Sequence, residues 1–295
     1  MIDVIGVDKG SIITNTSKGY ELLSTVRYLD DDEINLDKSK TVVEFRGKKL
    51  VIGESGNFAS DLMKADQENT PAVVYTAIAK SIQDEHIETN LVLDLPIRLY
   101  AKNKEKMASL FNKQTETLTV NGATKIINIK KAIVFPEAAA AFNNQTKKDA
   151  LVFDFGGLSV DVAQFRKGKL IKYSTYKLGL LTLYLKIANK LNSEFDLSIK
   201  DWEVKETLEE GVYIDGSRVD LGIEPIIKSH IKEIMNTLKL EYDLKRERNI
   251  ILTGGGSKDY FDYLKVYMPQ GELSPHAKAD NALGLEKIGR KVFKV

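Results

Sequence analysis

A chain of 295 residues with 43% hydrophobic, 29% charged and 8% aromatic content, 20 Gly and 6 Pro has ordinary globular composition, which excludes long disorder, collagen-like repeats and coiled coil. Lys and Arg number 43 against 42 Asp and Glu, and a net charge of +1 supplies no global basic field for gripping nucleic acid. There is no cysteine, and His86, His230 and His276 lie far apart, so disulfides and thiol chemistry are excluded and a histidine metal cluster or Ser-His-Asp triad is disfavoured.

In chain order, Met1 to Val7, Ile12 to Thr16 and Tyr20 to Val26 read as a strand meander broken at Lys9-Gly10 and Lys18-Gly19. Asp30-Asp31-Asp32-Glu33 reads as a solvated acidic loop, and Thr41 to Phe45 with Lys49 to Gly53 as a small hairpin. Thr70-Pro71 predicts a helix with Thr70 as N-cap, continued by Val74, Ile78 and Ile82. Leu91 to Leu95 is a buried strand ending at Pro96, and Lys102 to Asn112 a helix. Thr117 to Val120 and Thr124 to Val134 are strands around Asn121-Gly122, a strong hairpin signal.

The second half starts again with strands, Ala150 to Phe155 and Val160 to Phe165 around Gly156-Gly157, then Leu170 to Thr175. Leu180, Leu183, Tyr184, Ile187, Ala188 and Leu191 fit an amphipathic helix, and Ile227, Ile231, Ile234, Met235, Leu238 and Tyr242 a second. Asn249 to Thr253 is a strand running into Gly254-Gly255-Gly256, and Pro275 starts a last helix. About two domains of typical size fit this length. No apolar run approaches the roughly 18 residues that cross a bilayer, and Met1-Ile2-Asp3-Val4 lacks the basic start of a signal peptide, so a cytoplasmic protein is expected.

Strand, Asp, one residue, Gly, second strand occurs twice, at Asp8 and Asp154, about half the chain apart. Duplicated α/β domains facing a shared cleft would produce that pattern; two unrelated hairpins with turn-type Asp and Gly are the plainer alternative. At Asp154-Phe155-Gly156-Gly157-Leu158-Ser159, glycines after a strand let backbone N–H groups approach phosphate oxygens, and the carboxylate can hold the waters of a Mg²⁺ that bridges them. An ordinary hairpin turn competes with this. Asp8-Lys9-Gly10-Ser11 offers a second such turn with a hydroxyl. Glu137, in Pro136-Glu137-Ala138-Ala139-Ala140-Ala141, sits on the first turn of an expected helix, where it either favours the helix dipole or positions a water for attack on a terminal phosphate. Thr253-Gly254-Gly255-Gly256-Ser257, strand into glycines into helix, suits close passage of a base or sugar-phosphate. Neither G-x-G-x-x-G nor G-x-x-x-x-G-K-[ST] occurs, which disfavours those two nucleotide-binding classes.

Taken in order, these motifs resemble those of the actin, Hsp70 and sugar-kinase superfamily: phosphate 1 (Asp8 to Ser11), connect 1 (Pro136 to Ala141), phosphate 2 (Asp154 to Asp161), adenosine (Thr253 to Ser257) and connect 2 (Ala279 to Ile288). The resemblance implies an α/β fold of two duplicated ribonuclease H-like domains around a nucleotide cleft, 1–146 completed by a C-terminal helix 277–295, and 147–276. It implies Mg²⁺ with ATP or ADP (GTP possible), held through water by Asp8 and Asp154, with Glu137 and Asp154 catalytic. Asp8, Lys9, Gly10, Ser11, Gly156, Gly157, Leu158 and Ser159 would hold phosphates; Lys205, Glu206, Gly254, Gly255, Gly256 and Ser257 would meet the nucleoside. Lys205 and Glu206 are explained about as well by a solvated helix face. One departure stands out: Asn15 occupies the position, seven residues after the first Asp, where many actin-like relatives carry a phosphate-reaching Lys.

Within the superfamily, the chain ends too soon for a chaperone's substrate domain, and Pro136-Glu137 resembles a hydrolase rather than a metabolite kinase. Compact outer segments and Leu93-Asp94-Leu95-Pro96 are most similar to the plasmid-segregating bacterial actins of ParM type. That implies an ATPase that self-assembles into filaments and reaches plasmid DNA through a centromere-bound adaptor, with no direct nucleic acid contact. A monomeric phosphotransferase and a membrane-associated scaffold are the alternatives. Lys287, Arg290, Lys291 and Lys294 could serve a membrane-lying tail but read better as helix-ending cations.

Overall fold

The computed structural model describes residues 2–29, 40–54, 58 and 61–295; the acidic run at 30–33 lies outside them. Strands β1 (Asp3–Lys9), β2 (Ile13–Thr16) and β3 (Glu21–Leu23) form the expected meander, but its third strand breaks at Ser24-Thr25 and resumes as β4 (Val26–Tyr28). Then come β5 (Thr41–Phe45), β6 (Lys48–Ile52), α1 (Thr70–Ser81), β7 (His86–Leu95), α2 (Ile97–Ser109), β8 (Thr115–Val120), β9 (Ala123–Pro136) and α3 (Ala139–Asn143). Among the described residues these strands make a nine-stranded sheet, ordered β3-β2-β1-β7-β9-β8-β5-β6-β4. β7 is buried almost throughout because it runs parallel to β1 on one side and β9 on the other.

The second half comprises β10 (Ala150–Phe155), β11 (Val160–Arg166), β12 (Lys169–Tyr176), α4 (Leu180–Phe195), α5 (Val204–Glu210), β13 (Tyr213–Ile214), β14 (Ser217–Arg218), α6 (Glu224–Glu241), β15 (Ile250–Thr253), α7 (Ser257–Lys265), β16 (Gly271–Leu273) and α8 (Asp280–Phe293). Its five-stranded sheet is ordered β12-β11-β10-β15-β16. Here β10, β11 and β12 are antiparallel, and β15 runs parallel to both β10 and β16. The same plan underlies β3-β2-β1-β7-β9, where β1 pairs antiparallel with β2 and parallel with β7. The repeat seen at Asp8 and Asp154 is therefore a repeat of sheet topology.

Each sheet has its own core. Tyr75 of α1 packs between Phe45 and Phe111 over the first sheet, while Leu183, Ile187, Ile234 and Leu238 of α4 and α6 cover the second. α3 and α8 cross where the halves meet. Ala138, Ala139, Ala141 and Phe142 pack on β10 and β11, and Ala140 joins Leu285, Ile288, Val4 and Val92. The crossing is so close that a Cβ on Gly284 would fall 1.8 Å from the Ala140 carbonyl oxygen. Gly284→Ala should therefore destabilise by about 1–3 kcal/mol through overpacking, even though Ala is the better helix former by about 1 kcal/mol. A higher melting temperature for the variant would show that the crossing is slack.

Three local expectations change. The N-cap of α1 is Asn69, with Pro71 still in the first turn; the Thr70 hydroxyl instead donates to the Lys64 carbonyl at 2.6 Å. Pro275 lies in a turn and α8 begins only at Asp280, because Thr253, Gly254 and Ala279 use the carbonyls of Ala277 and His276. Glu137 is not on a helical first turn: Ala138 takes φ +58 and α3 starts at Ala139, so the helix-dipole account of Glu137 does not apply.

Candidate functional site

The two Asp-x-Gly turns leave β1 and β10 at equivalent strand ends and face each other. Gly10 is forced by the tightness of its turn, since a Cβ there would lie 2.3 Å from the Ile13 carbonyl oxygen. A Cβ on Gly157 would lie 2.6 Å from Ile12 Cγ1, which shows how closely the turns approach. Gly254 closes a third side: it has φ +87, and a Cβ would meet Asp154 Oδ1 at 2.2 Å. These turns line one cavity of about 640 Å³, within the range of small-molecule sites.

Of the residues expected at the site, Asp8, Gly10, Ser11, Glu137, Asp154, Gly156, Gly157, Leu158 and Ser159 line this cavity, as do Lys205, Glu206, Gly254, Gly255 and Gly256. Two do not. Lys9 follows Asp8 on the strand and so points the other way, its Nζ donating to Gln67 Oε1 at 2.5 Å. Burial there pushes its ammonium down to about 7. Ser257 is buried at the start of α7, its hydroxyl donating to the Gly254 carbonyl at 2.7 Å, where it fixes the glycine turn rather than meeting a ligand. Asn15 does line the cavity.

Three site residues escaped the sequence reading. Asn281, in the first turn of α8, donates through Nδ2 to Asp154 Oδ2 at 2.6 Å and Asp8 Oδ2 at 3.4 Å, so one amide joins the two halves' carboxylates. Its Oδ1 accepts the Ala141 N–H at 3.1 Å, locking the amide to α3. Lys64, in a short 3₁₀ turn before α1, places Nζ 2.5 Å from Glu137 Oε1, 2.8 Å from Asp94 Oδ1 and 3.9 Å from Asp8 Oδ1. Asp94 is fully buried near the end of β7. An acid inside the apolar run Leu91–Leu95 was a legible signal for Asp94; Lys64 carried none.

Asp161 reaches across the halves. It accepts from the Ser159 hydroxyl at 2.7 Å, the Thr175 hydroxyl at 2.5 Å and the Ile97 N–H at 3.0 Å, so β11 holds the start of α2. Burial pushes the Asp161, Asp154 and Glu137 carboxyls up to about 7 and that of Asp8 up to about 6. It raises Asp94 as well, with the Asp8 charge adding to the effect. Burial alone would depress the Lys64 ammonium, but Asp94, Glu137 and Asp8 reverse that and hold it well above its usual value. One ammonium against so many carboxylates leaves a cluster that favours added positive charge.

Carboxylate oxygens are the donors a hard divalent cation takes, and Asp8 and Asp154 bring two carboxylates to one Asn281 amide beside turns whose glycines admit phosphate to backbone N–H groups, whereas the oxygens of Asp8, Asp94 and Glu137, within 4.8 Å of one another, already surround the Lys64 ammonium. The cavity is also lined by Tyr184, Trp202, Lys205, Glu206 and Asp259, an amphipathic set suited to a base and sugar.

Residues 10–139 match the family described as the N-terminal domain of actin-like proteins. No curated protein matches the chain. Among solved structures, it is similar to an archaeal actin homolog, Ta0583, at 18% identity and a TM-score of 0.82, covering 98% of this chain and 100% of that one. The same homolog solved in complex with ADP gives 18% identity and a TM-score of 0.79, covering 99% and 100%. A ParM from Clostridium botulinum, solved as a 15-stranded filament, gives 17% identity and a TM-score of 0.80, again covering 99% and 100%. The fold is that of the actin homologues along the whole chain.

Proposed function

We propose that this actin-fold chain is a nucleotide-dependent ATPase that assembles into filaments. The observation that carries the reading is the convergence of Asp8 and Asp154, one from each half, on a single Asn281 amide between two glycine turns. A polyphosphate in that position is gripped from both halves, so its state is linked to the angle between them. Filament contacts made by both halves would favour one angle, which links nucleotide to assembly. The ADP complex of the archaeal homolog and the filament of the botulinum ParM support the same reading. Residues 1–146 with 277–295 would act as one domain and 147–276 as the other.

In this mechanism Ser11, Ser159 and the backbone of Gly10, Gly156 and Gly157 hold phosphates, and Gly254, Gly255, Gly256, Lys205 and Glu206 hold the nucleoside. Asp8 and Asp154 would hold Mg²⁺ through its waters, and the ion would supply positive charge to the phosphates when bound. Glu137 orients the attacking water. ATP is the expected substrate, with GTP as the alternative. We place the protein in the cytoplasm and assign it to plasmid segregation, with an adaptor on a centromere as its link to DNA. No helix of the described residues is long and apolar enough to cross a membrane.

Sedimentation and light scattering test the assembly. At tens of micromolar protein, ATP or a non-hydrolysable analogue with Mg²⁺ should give pelletable polymer that decays on hydrolysis, and Asp154→Ala should abolish the response. A protein that stays monomeric and phosphorylates a small metabolite is a kinase, and one that pellets only with liposomes is a membrane scaffold; either result overturns the filament reading.

A further inference from the structure

We propose that Asn281 is the positioning residue for the divalent cation of this cleft: its uncharged amide holds Asp8 and Asp154, one from each half, side by side, so that both carboxylates are presented together to one ion. This rests on the nucleotide-cleft reading above. Asp8 lies near the end of β1 and Asp154 near the end of β10, and two carboxylates brought that close repel unless a donor stands between them. Lys64 is not that donor. Its ammonium sits 2.5 Å from Glu137 and 2.8 Å from Asp94 but 3.9 Å from Asp8, and among the described residues it makes no ion pair with Asp154. Asn281, 5% exposed, stands there instead, with Nδ2 2.6 Å from Asp154 Oδ2 and 3.4 Å from Asp8 Oδ2.

The amide can face only one way. The Ala141 N–H can only donate, so it meets the Asn281 oxygen at 3.1 Å, and this turns both N–H bonds of Nδ2 toward the carboxylates. The preceding residue fixes the start of α8. Asp280 is wholly buried; its Oδ1 accepts from Asn144 Nδ2 at 2.7 Å and its Oδ2 from the Thr253 hydroxyl at 2.8 Å. Through Ala141 and Asn144, α8 is tied to both ends of the α3 turn, and through Thr253 to the end of β15. A donor seated this firmly has little freedom left to lose when it orders two acids. Its neutrality matters as much as its placement. An ammonium or guanidinium here would satisfy both carboxylates by itself and compete with an incoming cation. The amide joins them and leaves their charge to the ion.

Two measurements on the full chain test this. In the first, Mn²⁺ replaces Mg²⁺ and its binding in the presence of ADP, and in parallel GDP, is followed by paramagnetic resonance, while calorimetry gives the affinity for the same nucleotide in EDTA. Asn281→Ala should weaken Mn²⁺ by about 10-fold or more and leave the nucleotide in EDTA within about 2-fold, as loss of one hydrogen bond to a charged group predicts. Should that variant fold poorly, Asn281→Ser, whose hydroxyl is too short to join both carboxylates, should show the same split. In the second, melting is compared without nucleotide at about pH 8, where the carboxylates are charged. Asn281→Asp keeps the shape and the acceptor for Ala141 but replaces the donor with a third acid, so it should melt below the parent in EDTA and regain more than the parent does on adding Mg²⁺. Equal weakening with and without the metal, or an Asn281→Asp protein that melts like the parent in EDTA, overturns the proposal and leaves Asn281 as an anchor of α8. A parent protein that binds neither nucleotide overturns the cleft reading, while the melting comparison still decides whether the amide holds the two acids.

Discussion

Glu137→Ala should slow phosphate release about 10²-fold or more without weakening nucleotide binding, the cost expected for a lost base or water-positioning group. The fold should survive the change. Lys64 keeps its 2.8 Å contact with Asp94 when Glu137 is removed, so no buried ammonium is left unpaired. Burial already pushes the Glu137 carboxyl up to about 7, so its charged form is a cost to the folded state that Ala does not bear. The variant should also form longer-lived polymer than the parent, since assembly is favoured by the triphosphate and reversed by hydrolysis. Single-turnover phosphate release and polymer decay are the two readouts. Unchanged release rules out Glu137 as the water-orienting group, and polymer that decays at the parent rate separates assembly from hydrolysis.

What the sequence revealed of the site is what local sterics impose. Gly10 and Gly254 are required by atoms two or three residues away or by a backbone at positive φ, and such demands leave a readable Asp-x-Gly or Gly-Gly-Gly. Lys64 and Asn281 answer to partners far along the chain: Lys64 to Glu137, Asn281 to Asp154. Nothing around Lys64 has a periodicity, and its place is set by the packing of the turn before α1. The long elements were legible, the short strands β13, β14 and β16 were not, and boundaries were less legible than existence. β7 begins at His86 rather than Leu91 because pairing with β9 continues past the apolar run, leaving His86 and Glu88 exposed. α2 begins at Ile97, directly after Pro96, and its first N–H is taken by Asp161 of the other half, a contact no local pattern could announce.

The buried carboxylates also make stability depend on pH and on the ligand. Asp8 at about 6, and Glu137, Asp154 and Asp161 at about 7, all sit above their ordinary values near 4. Between about pH 5 and 7 the folded state therefore holds protons that the unfolded chain has released, and stability must fall as pH rises through that window. Two groups oppose this. His230, pushed down to about 4 by burial and the Lys186 charge, favours higher pH only up to its unfolded value of 6.5. Lys9, at about 7, contributes in the same direction above pH 7. In EDTA without nucleotide, the melting temperature should then be several degrees lower at pH 7 than at pH 5.5, at about 2–4 °C per kcal/mol for a chain near this size. Saturating Mg²⁺ and nucleotide favour the charged carboxylates, so they should raise the melting temperature more at pH 7 than at pH 5.5 and flatten the slope. If the slope is the same with and without the ligand, the protons that set it are held outside the cleft.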